Sequence, residues 1–524
     1  MQSQFIRIYK SVHTWTGIVA GLALFIAFYA GALTMFKEPI SRWASPPSAG
    51  VESVSLVKSA ELITQTLKAH PEAAKGFWLH LVSSEENLGR MEWEVAAEGS
   101  SDHDELSLTH FVSSLDDNND VVINQVHQAK LGVFIDVLHR VVGMPVDNDI
   151  TRLVMGVIAM LYALALVSGI IIFIPTLVKD MFAFRIGKNI KRMWLDAHNV
   201  VGFVSLPFHL VMAMTSIGFA FHDVIYVSED KLVLEGQLRS AFMSALPTPD
   251  PSEKNSDTLL APAELVAKTK ALSATFEPTK IQYSGITGPR PMVRVWGNDE
   301  TSIGARAWGG FLVLNPYSGD VISEDYMPRL QQAPFTTVSS FFALHFATYG
   351  GTAIKWAYFL LALAGAWLFY SGNLLWVESR HKRQRKQGPD VAQRRDTYFM
   401  ACGTVGVCLG SVVGLSITIA LTKWLTQHVE HLSELHLTSY YSVFFISIIW
   451  AFLRGPARSS IDLLWLAAFA TLAIPATSLV AVLVPSLGMW SHSSIGTLAV
   501  DIVALAGGFC FAYLAKKTHH RAYN

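Results

Sequence analysis

The chain has 524 residues, of which 51% are hydrophobic and 15% charged, with a formal net charge of −1. That balance, with a mean hydropathy of +0.35, is too apolar for a soluble protein of this size and indicates an integral membrane protein. The near-zero net charge gives no reason to expect a nucleic-acid partner. Cys402, Cys408 and Cys510 lie in apolar stretches without a CxxC pair, so no disulfide or thiolate-metal framework is expected.

In chain order, Arg7 and Lys10 precede an apolar run from Val12 to Phe36. A bilayer needs roughly 20 residues, and a secretory signal core is shorter and ends at a small-residue cleavage site, so this is expected to be a retained first span. A polar stretch follows at 37–138, with a hairpin signal in "LTHFVSSLDDNNDVVIN". Apolar segments at 152–175 and 194–220 come next, then a second polar stretch at 222–339. Its "GGFLVLNPYSGDVIS" is a stronger hairpin signal: alternating apolar residues, a turn cluster, then Val-Ile. Further apolar segments lie at 353–376, 398–422, 438–453, 461–485 and 495–515, the sixth span of the chain being short.

Lys and Arg concentrate in alternate loops: Lys179 to Arg192, Arg380 to Arg395, Arg454 with Arg458, and Lys516 to Arg521. By the positive-inside rule these loops and both termini face the cytoplasm, and both polar stretches lie outside. The expected fold is a mainly α membrane protein of about eight transmembrane helices with two outer α+β domains inserted in a duplicated core. The divisions are a first span (1–36), an outer domain (37–138), spans two and three (139–221) and a second outer domain (222–339). An interfacial helix with span four (340–380) and a C-terminal four-helix extension (398–515) complete the chain.

The duplication is legible in the motifs. "VHTWTG" at 12–17 and "AHNVVG" at 197–202 each open a span with His-x-x-x-Gly. "VLHRVVG" at 137–143 and "ALHFATYGG" at 343–351 each precede a span that ends in Ser-Gly, at Ser168-Gly169 and Ser371-Gly372. The repeat places His13 with His198 at one membrane face and His139 with His345 at the other. His209 is a fifth, 11 residues beyond His198. On a straight helix that spacing puts both rings on one face, roughly 16 Å apart. Ionisable groups within spans face the bundle interior, and neutral imidazole is a common axial ligand of haem iron. Histidines near both ends of a bundle could hold two haems. Proton relay and helix-to-helix hydrogen bonding are the alternatives. The glycines at 17, 31, 169, 202 and 372 suit either close helix packing or a flat macrocycle.

"QHVEHLSELH" places His428, His431, Glu434 and His436 in an outer loop, where a metal site competes with plain solvation. Arg140 and Arg152 could pair with haem propionates or anchor the interface. No dinucleotide, Walker A, Ser-His-Asp or H-E-x-x-H motif is present.

The His-Thr-Trp-Thr-Gly start, the Leu-His-Arg before span two, the "LPFH" of span three and the "NPYSGDV" hairpin resemble the PepSY-associated transmembrane family over roughly residues 5–380. The first outer hairpin departs from its pattern, with "SLDDNNDVV" in place of a Pro-x-x-Gly turn. The resemblance implies PepSY domains in the periplasm of a Gram-negative bacterium and two b-type haems in the inner membrane. It implies an inner haem held by His13 and His198, and an outer haem held by His345 with His139 or His209. It further implies a ferric-siderophore reductase that releases Fe(II), fed by a cytoplasmic reductase or a membrane quinol. A siderophore or metal permease without redox activity is the alternative, and a binding module anchored by its helices is a third.

Overall fold

A computed structural model describes all residues except 1, 48–53, 83–88, 97–104, 127–128, 178–189, 234, 238–255, 303–308, 386–393, 430 and 524. Lys179, Arg185, Lys188 and Lys386 of the basic loops fall outside the described residues. Tertiary packing divides the chain into two compact units, each built from separate stretches of sequence. One contains Met1–Pro47, Ala129–Ala220 and Trp356–Asn524, the other Ser48–Gln128 and Phe221–Lys355.

The first unit is helical: α1 (Gln2–Thr34), α2 (Lys37–Ala44), α4 (Leu131–Arg140), α5 (Asp149–Phe173), α6 (Ile190–Val204), α7 (Leu206–Ala220), α11 (Gly351–Arg385), α12 (Arg395–Leu425), α13 (Leu432–Arg454), α14 (Pro456–Leu483) and α15 (Ile495–Tyr523). Among the described residues, seven helices are long and apolar enough to cross a bilayer, and a bent pair makes an eighth. The chain is therefore a multi-pass membrane protein. The sixth span runs 23 residues, from Leu432 to Arg454, longer than the apolar run alone. Its first turns carry His436, which is buried inside the helix rather than solvated in a loop.

The bent pair corrects the straight-helix expectation. Span three breaks between α6 and α7, with 68° between their axes. Pro207 supplies the cause: it has no N–H, and its ring clashes with the carbonyl four residues back in a continued helix. Placed in the first turn of α7, the missing donor costs nothing. Ser205 seals the break, both its N–H (3.0 Å) and its hydroxyl (2.6 Å) donating to the Val201 carbonyl. His198 and His209 consequently sit on two different helices, and the 16 Å axial separation does not apply.

Span two starts where the sequence dictates. Asn148 and Thr151 form a reciprocal capping box, each side chain accepting from the other's backbone N–H at 3.0 Å.

The second unit contains α3 (Ser59–Ala69), α8 (His222–Leu232), α9 (Pro262–Leu272), α10 (Ala333–Phe346) and eight strands. These are β1 (Gly76–His80), β2 (Met91–Val95), β3 (Thr109–Leu115), β4 (Val121–Val126), β5 (Glu277–Ser284), β6 (Met292–Asn298), β7 (Gly310–Leu314) and β8 (Val321–Ser323). Each polar stretch contributes a helix and a four-stranded meander. The two halves share one antiparallel sheet, ordered β4-β3-β2-β1-β5-β6-β7-β8. They join where β1 pairs with β5, Phe77 opposite Tyr283 and Leu79 opposite Ile281. That antiparallel central pair is what a two-fold relation between duplicated halves requires. Strand alternation sends Phe77, Leu79, Trp93, Ile281, Tyr283, Val295 and Leu312 to one face, packed with Leu62 of α3 and Leu265 of α9. Each such side chain, removed from water, contributes roughly 1.5–3 kcal/mol.

Both hairpins named by the sequence are present, as β3–β4 and β7–β8. Gly319 turns the second with a left-handed φ of 70°, and Asn119 does so in the first with φ 64°. Asparagine is the residue that best tolerates that region after glycine, so the departure from Pro-x-x-Gly leaves the turn intact.

Candidate functional site

Four histidines of the membrane unit share one arrangement: each ring packs on a glycine of a neighbouring helix and engages a protein group through Nδ1. His13 of α1 lies against Gly169 of α5, where an added β-carbon would be 3.1 Å from its Cε1. Its Nδ1 donates to the Ala165 carbonyl at 2.8 Å. His198 of α6 lies against Gly372 of α11, at 3.6 Å by the same measure, with Nδ1 3.0 Å from Ser371 Oγ. The Ser371 hydroxyl proton goes to the Leu368 carbonyl at 3.0 Å, so Ser371 accepts and His198 Nδ1 donates. These two seats are repeat equivalents, each beside one of the Ser-Gly pairs. His198 also lies within Coulombic reach of His13 and His209.

His139, in the last turn of α4, seats on Gly31 of α1, where a β-carbon would be 2.8 Å from Nδ1. Its Nδ1 donates to the Ala27 carbonyl at 2.7 Å. Burial lowers the His139 pKa and keeps the ring neutral. His209 of α7 lies beside Gly365 of α11, where an added β-carbon would meet the Phe28 ring first, 2.5 Å from Cδ1, and His209 Cε1 at 3.0 Å; its Nδ1 is 2.6 Å from Tyr162 OH of α5. Its ring lies 5.6 Å from the Phe28 ring. His139 and His209 therefore flank the same turn of α1, at Ala27 and Phe28. On α11, Gly365 and Gly372 are two turns apart, roughly 10 Å along the axis.

A carbonyl can only accept. The bonds to Ala165, Ala27 and Ser371 thus place a proton on Nδ1, so that in the neutral ring Nε2 is the nitrogen with the lone pair. This is the form that ligates haem iron, with Nδ1–H held by the protein as orienting partner. His209 Nε2 is buried and has no hydrogen-bond partner among the described residues, a costly state for a polar atom unless a ligand satisfies it. The donor set fits a haem on these grounds.

His345 lies in the last turn of α10, in the sheet-bearing unit, half-buried, with its ring 5.2 Å from that of Phe346. Arg140 and Arg152 are both engaged by a protein carboxylate: Asp147 forms an ion pair with Arg140 at 3.2 Å and accepts a hydrogen bond from Arg152 Nε at 3.0 Å. That network answers for the pair without any propionate. His428 and His431 are exposed, and no group of three metal-ligating side chains occurs among the described residues. Tyr162, Phe28, Gly365 and the carbonyls of Ala27 and Ala165 were not singled out from sequence. Tyr162 carried a signal, as a phenol in the middle of an apolar span. The carbonyls carried none.

Fold and site together define a multi-pass membrane protein with a histidine-bearing helical core and a duplicated α+β insert. The chain belongs to the PepSY-associated TM region family, which it matches over residues 10–379. The match ends within α11, so α12 to α15 lie beyond it. None of the curated proteins matches this chain.

Proposed function

We propose that the protein is a di-haem b electron carrier of a bacterial inner membrane that reduces a ferric siderophore on the periplasmic side. The observation that carries this reading is the repeated seat: four imidazoles beside four glycines, Nδ1 engaged by the protein, with His209 Nε2 buried and unpartnered among the described residues. His13 and His198 would hold one haem. His345 with His209 or His139 would hold the other, and His209 is the first candidate because of its orphaned nitrogen.

Bound haem would supply one-electron chemistry through its Fe(III)/Fe(II) couple. The chain's own residues set the conditions. The Ala165, Ala27 and Ser371 oxygens hold the rings in one tautomer and make the ligand nitrogens more basic. Tyr162 fixes the His209 ring. Phe28, Phe208 and Tyr358 form a dry aromatic wall, with Phe208 5.2 Å from Tyr358 and 6.2 Å from Phe28. Burial in that wall disfavours net charge and so tunes a potential. Reduction to Fe(II) lowers the charge on the metal and loosens its hold on hard oxygen donors, which would release iron from a siderophore.

The alternation of basic loops supports cytoplasmic termini, and a reporter fused at the C-terminus tests this by its compartment. The cofactor is tested by the pyridine haemochrome of purified protein. Two b-type haems per chain are expected, falling to one in His198→Ala. Colourless protein from haem-sufficient cells overturns the reading, and an unchanged count in His198→Ala removes that residue from the ligand set.

A further inference from the structure

The C-terminal extension carries a buried charge that the proposed electron path does not use. Lys423, in the last turn of α12, is 2% exposed. Lysine is almost never fully buried, and within a membrane span it costs several kcal/mol, about 2.5–3.5 on insertion scales. Its Nζ stands 4.2 Å over the Trp43 ring of α2 and donates to Ser478 Oγ of α14 at 3.2 Å. Ser478 donates on to Asp501 Oδ1 of α15 at 3.0 Å. Trp43 Nε1 points at both, 2.9 Å from each. Four helices thus converge on one cation, one carboxylate and the hydroxyl between them.

Beside Lys423 opens a cavity of about 130 Å3, lined also by Trp424, Gln427, His428, Met489 and Trp490. The indole N–H groups of both tryptophans are already used, by Thr477 Oγ1 at 3.0 Å and the Trp43 carbonyl at 3.3 Å. What these rings offer a ligand is apolar surface. The donors that remain to it are the further protons of the Lys423 ammonium, the second proton of the Gln427 amide, whose first goes to the Gly488 carbonyl at 3.4 Å, and the His428 ring.

We propose that this cavity binds the head ring of a membrane quinone or quinol. The ligand comes from lipid, since the cavity lies at the end of spanning helices. Flat aromatic walls with a few hydrogen-bond donors suit a planar ring bearing oxygen acceptors, and the volume suits a ring rather than a siderophore. Charge decides against a phosphate headgroup. Asp501 already balances Lys423, so an added anion leaves excess negative charge in a low-dielectric site, whereas a neutral carbonyl accepts from Lys423 at no such cost. The inference rests on the electron-transfer reading for its purpose. A quinol oxidised to quinone gives up two electrons, taken one at a time by ferric haem, and two protons, released to water.

The test uses the full chain in nanodiscs of neutral lipid, titrated with decyl-ubiquinone and with menadione, reading tryptophan quenching. A photoreactive azidoquinone maps the site. Saturable quenching is expected, with label in peptides covering 423–428 or 487–490. Lys423→Met is expected to weaken binding about tenfold, the loss of one charge-assisted hydrogen bond. Should that variant fail to fold, Gln427→Ala and His428→Ala, at exposed positions, are expected to weaken it severalfold. Unsaturable quenching, label elsewhere, or wild-type affinity in these variants overturns the proposal. Displacement of the azidoquinone by phosphatidylglycerol but not by menadione also overturns it, and assigns the cavity to a lipid. A haem count on the same sample keeps the two readings apart. Two haems without quinone binding defeats only this inference, and quinone binding without haem defeats only the electron-transfer reading.

Discussion

The histidine core and the C-terminal bundle both place glycines inside membrane helices, to opposite ends. In α12 the glycines bring backbones together. Gly406, Gly410 and Gly414 recur every four residues on one face, and β-carbons there would meet Ile448 Cα at 2.8 Å, Ser447 Cβ at 2.9 Å and Tyr440 Cδ2 at 3.0 Å. This is small-residue packing, which lets α13 approach closely where lipid supplies no hydrophobic drive. In the histidine core, Gly31, Gly169 and Gly372 each receive an imidazole instead, and Gly365 receives the Phe28 ring with the His209 imidazole beside it. The same residue type closes one interface and opens a seat in the other. What distinguishes them is the partner: a helix backbone and its nearest carbons in one region, a ring in the other.

Substitution can break this contrast. The largest effect is expected from Gly406→Leu, which pushes a branched side chain into the backbone of α13. Overpacking of this kind costs about 1–3 kcal/mol or more. A lower Tm and faster proteolysis in the 425–432 connection, at unchanged haem content, would show it, and a wild-type Tm would refute the close approach. Gly169→Val and Gly372→Val come next. Each crowds an imidazole rather than a backbone, so each is expected to remove one haem from the pyridine haemochrome count while Tm falls less than in Gly406→Leu. Equal losses of stability in both regions would erase the distinction between them.

A finer test concerns the hydrogen bonds that aim the rings. Tyr162→Phe removes the hydroxyl beside His209 Nδ1, and the net cost of such a bond is about 1 kcal/mol. One haem is expected to shift its midpoint potential with the count unchanged. If neither haem responds, His139 rather than His209 serves the second site. The smallest effect lies in the sheet. Asn119→Ala places a residue of poorer left-handed tolerance in the β3–β4 turn, at about 1 kcal/mol, whereas Asn119→Gly is expected to be near neutral. Chemical denaturation distinguishes the two, and a wild-type midpoint for Asn119→Ala would remove the turn argument.

Much of this was legible in the chain. Apolar runs long enough to cross a bilayer mark the spans, because the bilayer admits little else. The two Ser-Gly pairs, spotted as parts of a repeat, are the seats of His13 and His198. The break in span three is written in Pro207, which hydropathy does not register, and the straight-helix spacing of His198 and His209 fails with it. His436 was placed in a loop because its neighbours are polar, yet Phe134 from a distant helix covers it, their rings 5.7 Å apart.

Length and hydropathy determined the number of crossings and the two polar inserts, and the recurring His and Ser-Gly motifs their duplication, because burial in lipid and short motifs are local properties of the chain. The tertiary structure alone decided that the inserts share one sheet, and which glycines meet an imidazole and which a backbone. Those outcomes depend on contacts between residues more than a hundred positions apart, such as His13 with Ala165 or Phe77 with Tyr283, and no local pattern records which partner a residue will meet.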